Sequence, residues 1–140
     1  AECNPFTSRI FCGECGHSYT KHSWKSRGVE QWQCKNHRTG GKLTCKNDFV
    51  DNRDLEQGFI KAFNKVLADK ESKIRWERMR TEGTPLQKIR SEQMIGIAAE
   101  GKIKTFVPEL AQLVVIKVTI FSAKNFEFEF MDRSKVKVTI

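Results

Sequence analysis

The spacing of four cysteines constrains this chain more than any other feature. Cys12-Gly13-Glu14-Cys15 is followed by eighteen residues to Cys34 and ten more to Cys45. A Cys-x-x-Cys turn points two sulfurs at one spot, and a later pair can complete a tetrahedron. Four thiolates so arranged suit zinc, which takes Cys₄ sets in closed structural sites. Gly13 and Gly16 give the backbone freedom that such a turn needs beside its ligands. The flanks read as extended and aromatic: Ile10-Phe11, Trp32-Gln33 and Phe49-Val50. The pattern is a zinc β-ribbon, two turns of backbone clamped by one metal, with Cys12, Cys15, Cys34 and Cys45 as ligands.

The second half of that set is more widely spaced than the usual two to four residues. His37, in Cys34-x-x-His37, is an alternative fourth ligand. Cys45 is favoured because residues 36–42 read as a loop bulging between two ligands, around Thr39-Gly40-Gly41. Two disulfides, or plain buried thiols, are the competing reading. An odd total of five cysteines, 30% charged residues and no signal-like stretch argue against a secreted domain. Cys3 is left over.

A chain of 140 residues allows one domain or two small ones sharing an interface. Its first fifty residues hold few aliphatic side chains, so that part depends on its metal, which contributes on the order of 10 kcal/mol in small zinc folds. No apolar run approaches transmembrane length. The chain begins at Ala1 with no methionine, and a fragment of something longer is the expectation. The formal charge is +8. Residues 1–50 carry eight Lys and Arg against four acids, residues 51–100 ten against nine, and residues 101–140 seven against four. The positive excess therefore falls in the cysteine-bearing part and the tail. A basic surface serves nucleic acid, an acidic membrane or solubility, and charge alone does not choose.

Taken in order, Pro5 suits an extended entry, and Ile10-Phe11 start the first strand. His17 to Gln33 reads as a hairpin, with Tyr19, Trp24 and Trp32 as strand formers and Ser26-Arg27-Gly28 as its turn. This finger carries Lys21, His22, Trp24, Lys25 and Arg27, a mixture of basic and aromatic side chains suited to lying along a DNA backbone. Trp32 reads as core instead. Arg38, Lys42 and Lys46 form a second basic cluster beside the other cysteine turn. Asp51 is a helix N-cap, with Asp54 in the first turn and an apolar stripe through Leu55, Phe59, Phe63 and Val66. Gly58 weakens that helix slightly. Beyond Leu67 the stripe thins to Ile74 and Met79 among charges, and that end projects into solvent or packs on another molecule. Thr84-Pro85-Leu86-Gln87 is a capping box opening a second helix that ends at Gly101. Leu110–Phe121, Phe126–Phe130 and Val136–Ile140 read as three antiparallel strands, turning at 122–125 and 131–134. Phe126, Phe128 and Phe130 share the face that covers the helices. There is no repeat, no phosphate-cradling glycine loop and no catalytic constellation.

These features together resemble the C-terminal zinc β-ribbon region of the large serine recombinases. The likeness rests on Asn4-Pro5-Phe6, the Ile10–Gly16 box, Trp32-Gln33-Cys34, the delayed Cys45, the helix from Asp51 and the closing Phe-Glu-Phe strands. It implies a DNA-recognition part of a site-specific integrase or transposon recombinase. The catalytic serine would lie in a separate domain, so that only the full-length parent would be an enzyme. It also implies a structural Zn2+, double-stranded DNA and other recombinase subunits as partners, no membrane and no small-molecule substrate, and a bacterial or phage-encoded cytoplasmic protein acting in DNA integration. Many relatives carry a long coiled coil here. Only Asp69–Gln93 is available for one, and Gly83 and Pro85 interrupt it. Ala123 and Arg133 stand at turns where glycine would be easier. The expected fold is α+β: a Cys₄ zinc ribbon (1–50), a helical segment of two helices (51–105) and a three-stranded antiparallel sheet packed on them (106–140), as one compact unit. The alternative is a protein-interaction module that positions recombinase subunits.

Overall fold

A computed structural model describes residues 4–24, 28–37 and 45–140. The chain is mixed α+β, with four helices and two sheets among the described residues. Strands β1 (Ile10–Cys12), β2 (Tyr19–Trp24), β3 (Val29–Cys34) and β4 (Val50–Asp51) surround the cysteines. Helices α1 (Asn52–Ala68), α2 (Lys70–Glu82), α3 (Pro85–Ala99) and α4 (Pro108–Val114) follow, and β5 (Val115–Ser122), β6 (Asn125–Phe130) and β7 (Lys135–Thr139) close the chain.

The sheets do not divide as the sequence suggests. Strands β2, β3 and β4 form one antiparallel sheet, whereas β1 pairs in parallel with β5 and, among the described residues, keeps only a single bridge, Phe11 to Ser18, to the segment before β2. The closing sheet therefore has four strands, in the order β1-β5-β6-β7, not three. Ile10 and Cys12 are buried on this edge, opposite Val118 and Ile120. A strand three residues long with both ends buried stays extended by borrowing a neighbour's ladder. The entry to it differs too. Residues 5–9 are turns, because the Asn4 carbonyl and side chain accept from Thr7 and Phe6 N–H.

The core lies between α1 and the closing sheet. Phe126, Phe128 and Phe130 alternate inward with no exposed surface, as their spacing predicts. Phe59 meets Phe128 and Phe130 at centroid distances of 6.3 Å, and Phe63 stacks on Phe59 at 5.6 Å. Each such phenylalanine contributes about 1.5–3 kcal/mol. Phe6 joins them, 5.7 Å from Phe106 and 6.4 Å from Phe128. Gly58 has a reason beyond helix propensity: a Cβ there would stand 3.0 Å from the Phe126 ring.

Among the described residues the helices number four rather than two. The Asp51 cap is present, its carboxylate accepting from Arg53 N–H at 2.8 Å. The first helix stops at Ala68, because Asp69 is extended at φ −81°, ψ 113° and caps a new one, accepting from Ser72 Oγ at 2.7 Å. The expected capping box is made in both directions, Thr84 N–H to Gln87 Oε1 at 2.9 Å and Gln87 N–H to Thr84 Oγ1 at 3.2 Å. Gly101 ends that stretch at φ 85°. The fourth helix takes residues expected to open a strand. Pro108 at its start and the run Glu109-Leu110-Ala111-Gln112-Leu113 favour helix, and β-branched residues begin only at Val114. Arg133 holds φ 72° in the β6–β7 turn.

Helix α2 is anchored to this fold, where the sequence left it free or docked elsewhere. Trp76 is 1% exposed, and its indole N–H donates to Asp132 Oδ2 at 2.7 Å. Arg75 reaches the same oxygen at 2.9 Å. Ile74 and Leu86, by contrast, are exposed. Trp76→Ala is expected to lower unfolding stability by about 3–5 kcal/mol in urea titration. An unchanged midpoint would show that α2 does not pack as described.

Candidate metal centre

The four cysteines predicted from spacing meet at one point. Their sulfurs all lie within 4.8 Å of one another. Cys12 closes β1, Cys15 follows in the turn, Cys34 closes β3, and Cys45 precedes β4. Cys12 Sγ is 3.6 Å from Cys45 Sγ, and Cys15 Sγ is 3.4 Å from Cys34 Sγ. Disulfide sulfurs lie about 2.05 Å apart, so none of these pairs is bridged. Sulfurs at 2.3 Å from a zinc ion sit about 3.8 Å apart along the edges of a tetrahedron. The donor chemistry and the near-tetrahedral spacing fit zinc, and a Cys₄ set leaves no open position for a reacting water.

The backbone holds this spacing in specific ways. Gly16 lies at φ 79°, which favours glycine. Gly13 is small for a different reason: a Cβ would stand 2.8 Å from the Ile120 carbonyl, to which the Gly13 N–H donates. The N–H groups of Glu14 and Cys15 point at Cys12 Sγ from 3.4 and 3.5 Å.

Two asparagines that sequence reasoning passed over organise the surroundings. Asn47 is buried, and its amide donates to Cys12 Sγ at 3.2 Å and to the Ile120 carbonyl at 2.9 Å. It ties the sulfur cluster to β5. Asn52 accepts from Trp32 Nε1 at 2.9 Å and from Asn4 Nδ2 at 3.1 Å, joining ribbon, entry turn and α1. Tyr19 is buried and donates to the Asp48 carbonyl at 2.9 Å. The available signal was position: Asn47 stands two residues after a cysteine, and Asn52 directly after the helix cap.

The thiols are not equivalent. Burial raises the Cys12 thiol, but hydrogen bonds from Asn47 and from the Cys15 and Glu14 N–H groups outweigh it and bring the thiol down to about 7. Burial dominates at Cys34 and Cys45 and pushes both upward, against opposing backbone hydrogen bonds. Cys12 is thus readier than Cys34 or Cys45 to receive a cation, and those two give up protons as the metal arrives.

The proposed DNA-contact residues are placed less completely. Lys21 and His22 lie on β2 and are half-buried; the Lys21 ammonium is 3.8 Å from Glu30. Lys46 is exposed beside Cys45. Trp24 ends β2. Lys25, Arg27, Arg38 and Lys42 lie outside the described residues, as does Cys3. Trp32 is 1% exposed and belongs to the core, as expected.

Residues 5–64 match the family model of the recombinase zinc beta ribbon domain. The match runs from the entry turn through the four cysteines and most of α1. The matched stretch is similar to a recombinase zinc-ribbon region. No curated protein and no solved structure matches the chain. Among the described residues, no helix is long and apolar enough to cross a membrane.

Zinc affinity is expected to rise with pH. Cys34 and Cys45 hold their protons at neutrality, so zinc must displace both, and the logarithm of the affinity climbs by at least about two per pH unit there. Asn47→Ala removes the side-chain donor from Cys12 and is expected to weaken zinc by about 10–100-fold. Competition against a chromophoric chelator, for both proteins across pH 6 to 8, measures this. A flat profile, or wild-type affinity in the variant, would contradict the reading.

Proposed function

We propose that this chain is the DNA-binding zinc-ribbon part of a site-specific serine recombinase, recognising attachment-site DNA during integration or transposition. One observation carries the reading: the stretch that brings four cysteines together is also the stretch that matches a recombinase zinc ribbon. In this reading Cys12, Cys15, Cys34 and Cys45 hold a structural Zn2+, and the metal takes no part in chemistry. The finger carries Lys21, His22, Trp24, Lys25 and Arg27 to the duplex, and Arg38, Lys42 and Lys46 add a second basic cluster. Phosphate contacts from these cations supply most of the affinity, and a few side chains the sequence preference. The three stretches 1–50, 51–105 and 106–140 act as one module, a view supported by the pairing of β1 with β5. The parent protein would work on DNA in the cytoplasm and carry its serine nucleophile in another domain.

Exposed Ile74, Leu86 and Ile89 on the α2–α3 pair favour a second reading, a surface that positions neighbouring recombinase subunits. Fluorescence anisotropy of a labelled duplex, titrated with zinc-loaded protein at several salt concentrations, separates the two. The DNA reading expects binding that falls steeply with salt and vanishes when zinc is stripped. Lys25→Ala and Arg27→Ala are expected to weaken it without unfolding, and Cys12→Ser to abolish it. No binding at low salt, with self-association that ignores Lys25 and Arg27, would favour the subunit reading instead.

A further inference from the structure

We propose a second contact surface for the DNA backbone, in the groove between α1 and β7. The groove encloses about 640 Å³ and is lined by Lys61, Asn64, Lys65, Lys102, Lys137 and Thr139 with Ala68 and Val138, and no acidic residue lines it. One of its cations is held in place, while the Lys137 ammonium lies over the Phe121 ring, 5.5 Å from its centroid. Lys61 Nζ donates to the Thr139 carbonyl at 3.1 Å, bridging α1 to β7. Asn64 bonds Ile103 twice, at 2.8 Å to its carbonyl and 2.9 Å from its N–H, which fixes the segment carrying Lys102 against α1. Lys61 and Lys65 are one helical turn apart on the same face. Among the described residues, Lys61, Lys65 and Lys102 form no ion pair. A neighbouring groove of about 370 Å³ shares Lys65 and continues along β7 past Lys135 to Arg75. The acid there, Asp69, already caps α2.

The chemistry favours phosphate over a protein partner. Protein interfaces are anchored by buried aromatic or large apolar groups, and this groove offers only Ala68 and Val138. Lysine ammoniums are point charges suited to phosphate oxygens. The location separates this surface from the finger. Strand β1, which carries Cys12, forms one edge of the closing sheet, and β7 forms the other. Three strand spacings put them about 14 Å apart. The module then holds the duplex at two places, the finger and the α1–β7 edge. The proposal rests on the DNA reading above for the nature of the polyanion.

The test is the salt dependence of duplex binding for Lys61→Gln/Lys65→Gln/Lys102→Gln, against a control that removes three charges elsewhere, Lys73→Gln/Arg78→Gln/Lys88→Gln. The groove variant is expected to reduce the slope of log affinity against log salt by about two to three, and the control to leave it unchanged. Equal effects in both variants would mean that overall charge acts and the groove does not. A wild-type slope in the groove variant, with binding still lost in Arg27→Ala, would overturn the groove and leave the finger standing. The same slope together with new self-association would show that these lysines only guard an edge strand. No binding by the wild type at low salt would remove the DNA reading itself, and the groove with it.

Discussion

Cys12 lies on β1, a strand of the closing sheet, while its sulfur belongs to the four-cysteine cluster. Through that one residue, whatever holds the sulfurs together also holds the ribbon to the rest of the chain. Gly13 and Asn47 both donate to the Ile120 carbonyl, and Asn47 also reaches the Cys12 sulfur. The ribbon has little core of its own. Its buried side chains, Tyr19 and Trp32 among them, are held by hydrogen bonds to Asp48 and Asn52 as well as by packing. A metal contribution on the order of 10 kcal/mol would rival the whole stability of a small domain. The closing sheet and α1 have a different source of stability, a continuous set of buried phenylalanines that needs no metal.

Much of this was legible because local rules and the global fold agree. Alternation put Phe126, Phe128 and Phe130 on one face, and helical spacing put Leu55, Phe59, Phe63 and Val66 on another. The Asp51 cap and the Thr84 capping box were read from four-residue patterns. The cysteine cluster was legible because ligand geometry demands proximity whatever the intervening loops do.

What was not legible depends on contacts between distant residues. Nothing local says that Ile10–Cys12 pairs in parallel with Val118–Ile120, because a three-residue strand carries no preference for one partner over another. Trp76 was overlooked in a charged stretch, and its partner Asp132 is more than fifty positions away. The buried asparagines at 47 and 52 look like ordinary loop residues until their partners are known. Asp69 is a good cap, but in an unbroken helical pattern a capping residue and a solvated acid read alike. The DNA-facing residues are a separate case. Basic side chains on a finger obey no packing rule, so the sequence names them without fixing where they point.

Two kinds of surface follow from this division. The sheet of β2, β3 and β4 depends on the sulfur cluster for its shape, whereas the α1–β7 groove depends on the phenylalanine core. The recombinase zinc-ribbon match covers the first and most of α1. The claim underneath is that four thiolates, and no other ligand, close the metal site. X-ray absorption at the zinc edge of the purified protein tests it most directly. A single shell of four sulfurs at about 2.3 Å is the predicted result. A shell containing a nitrogen or oxygen at about 2.0 Å, which would bring in His37 or water, would contradict it.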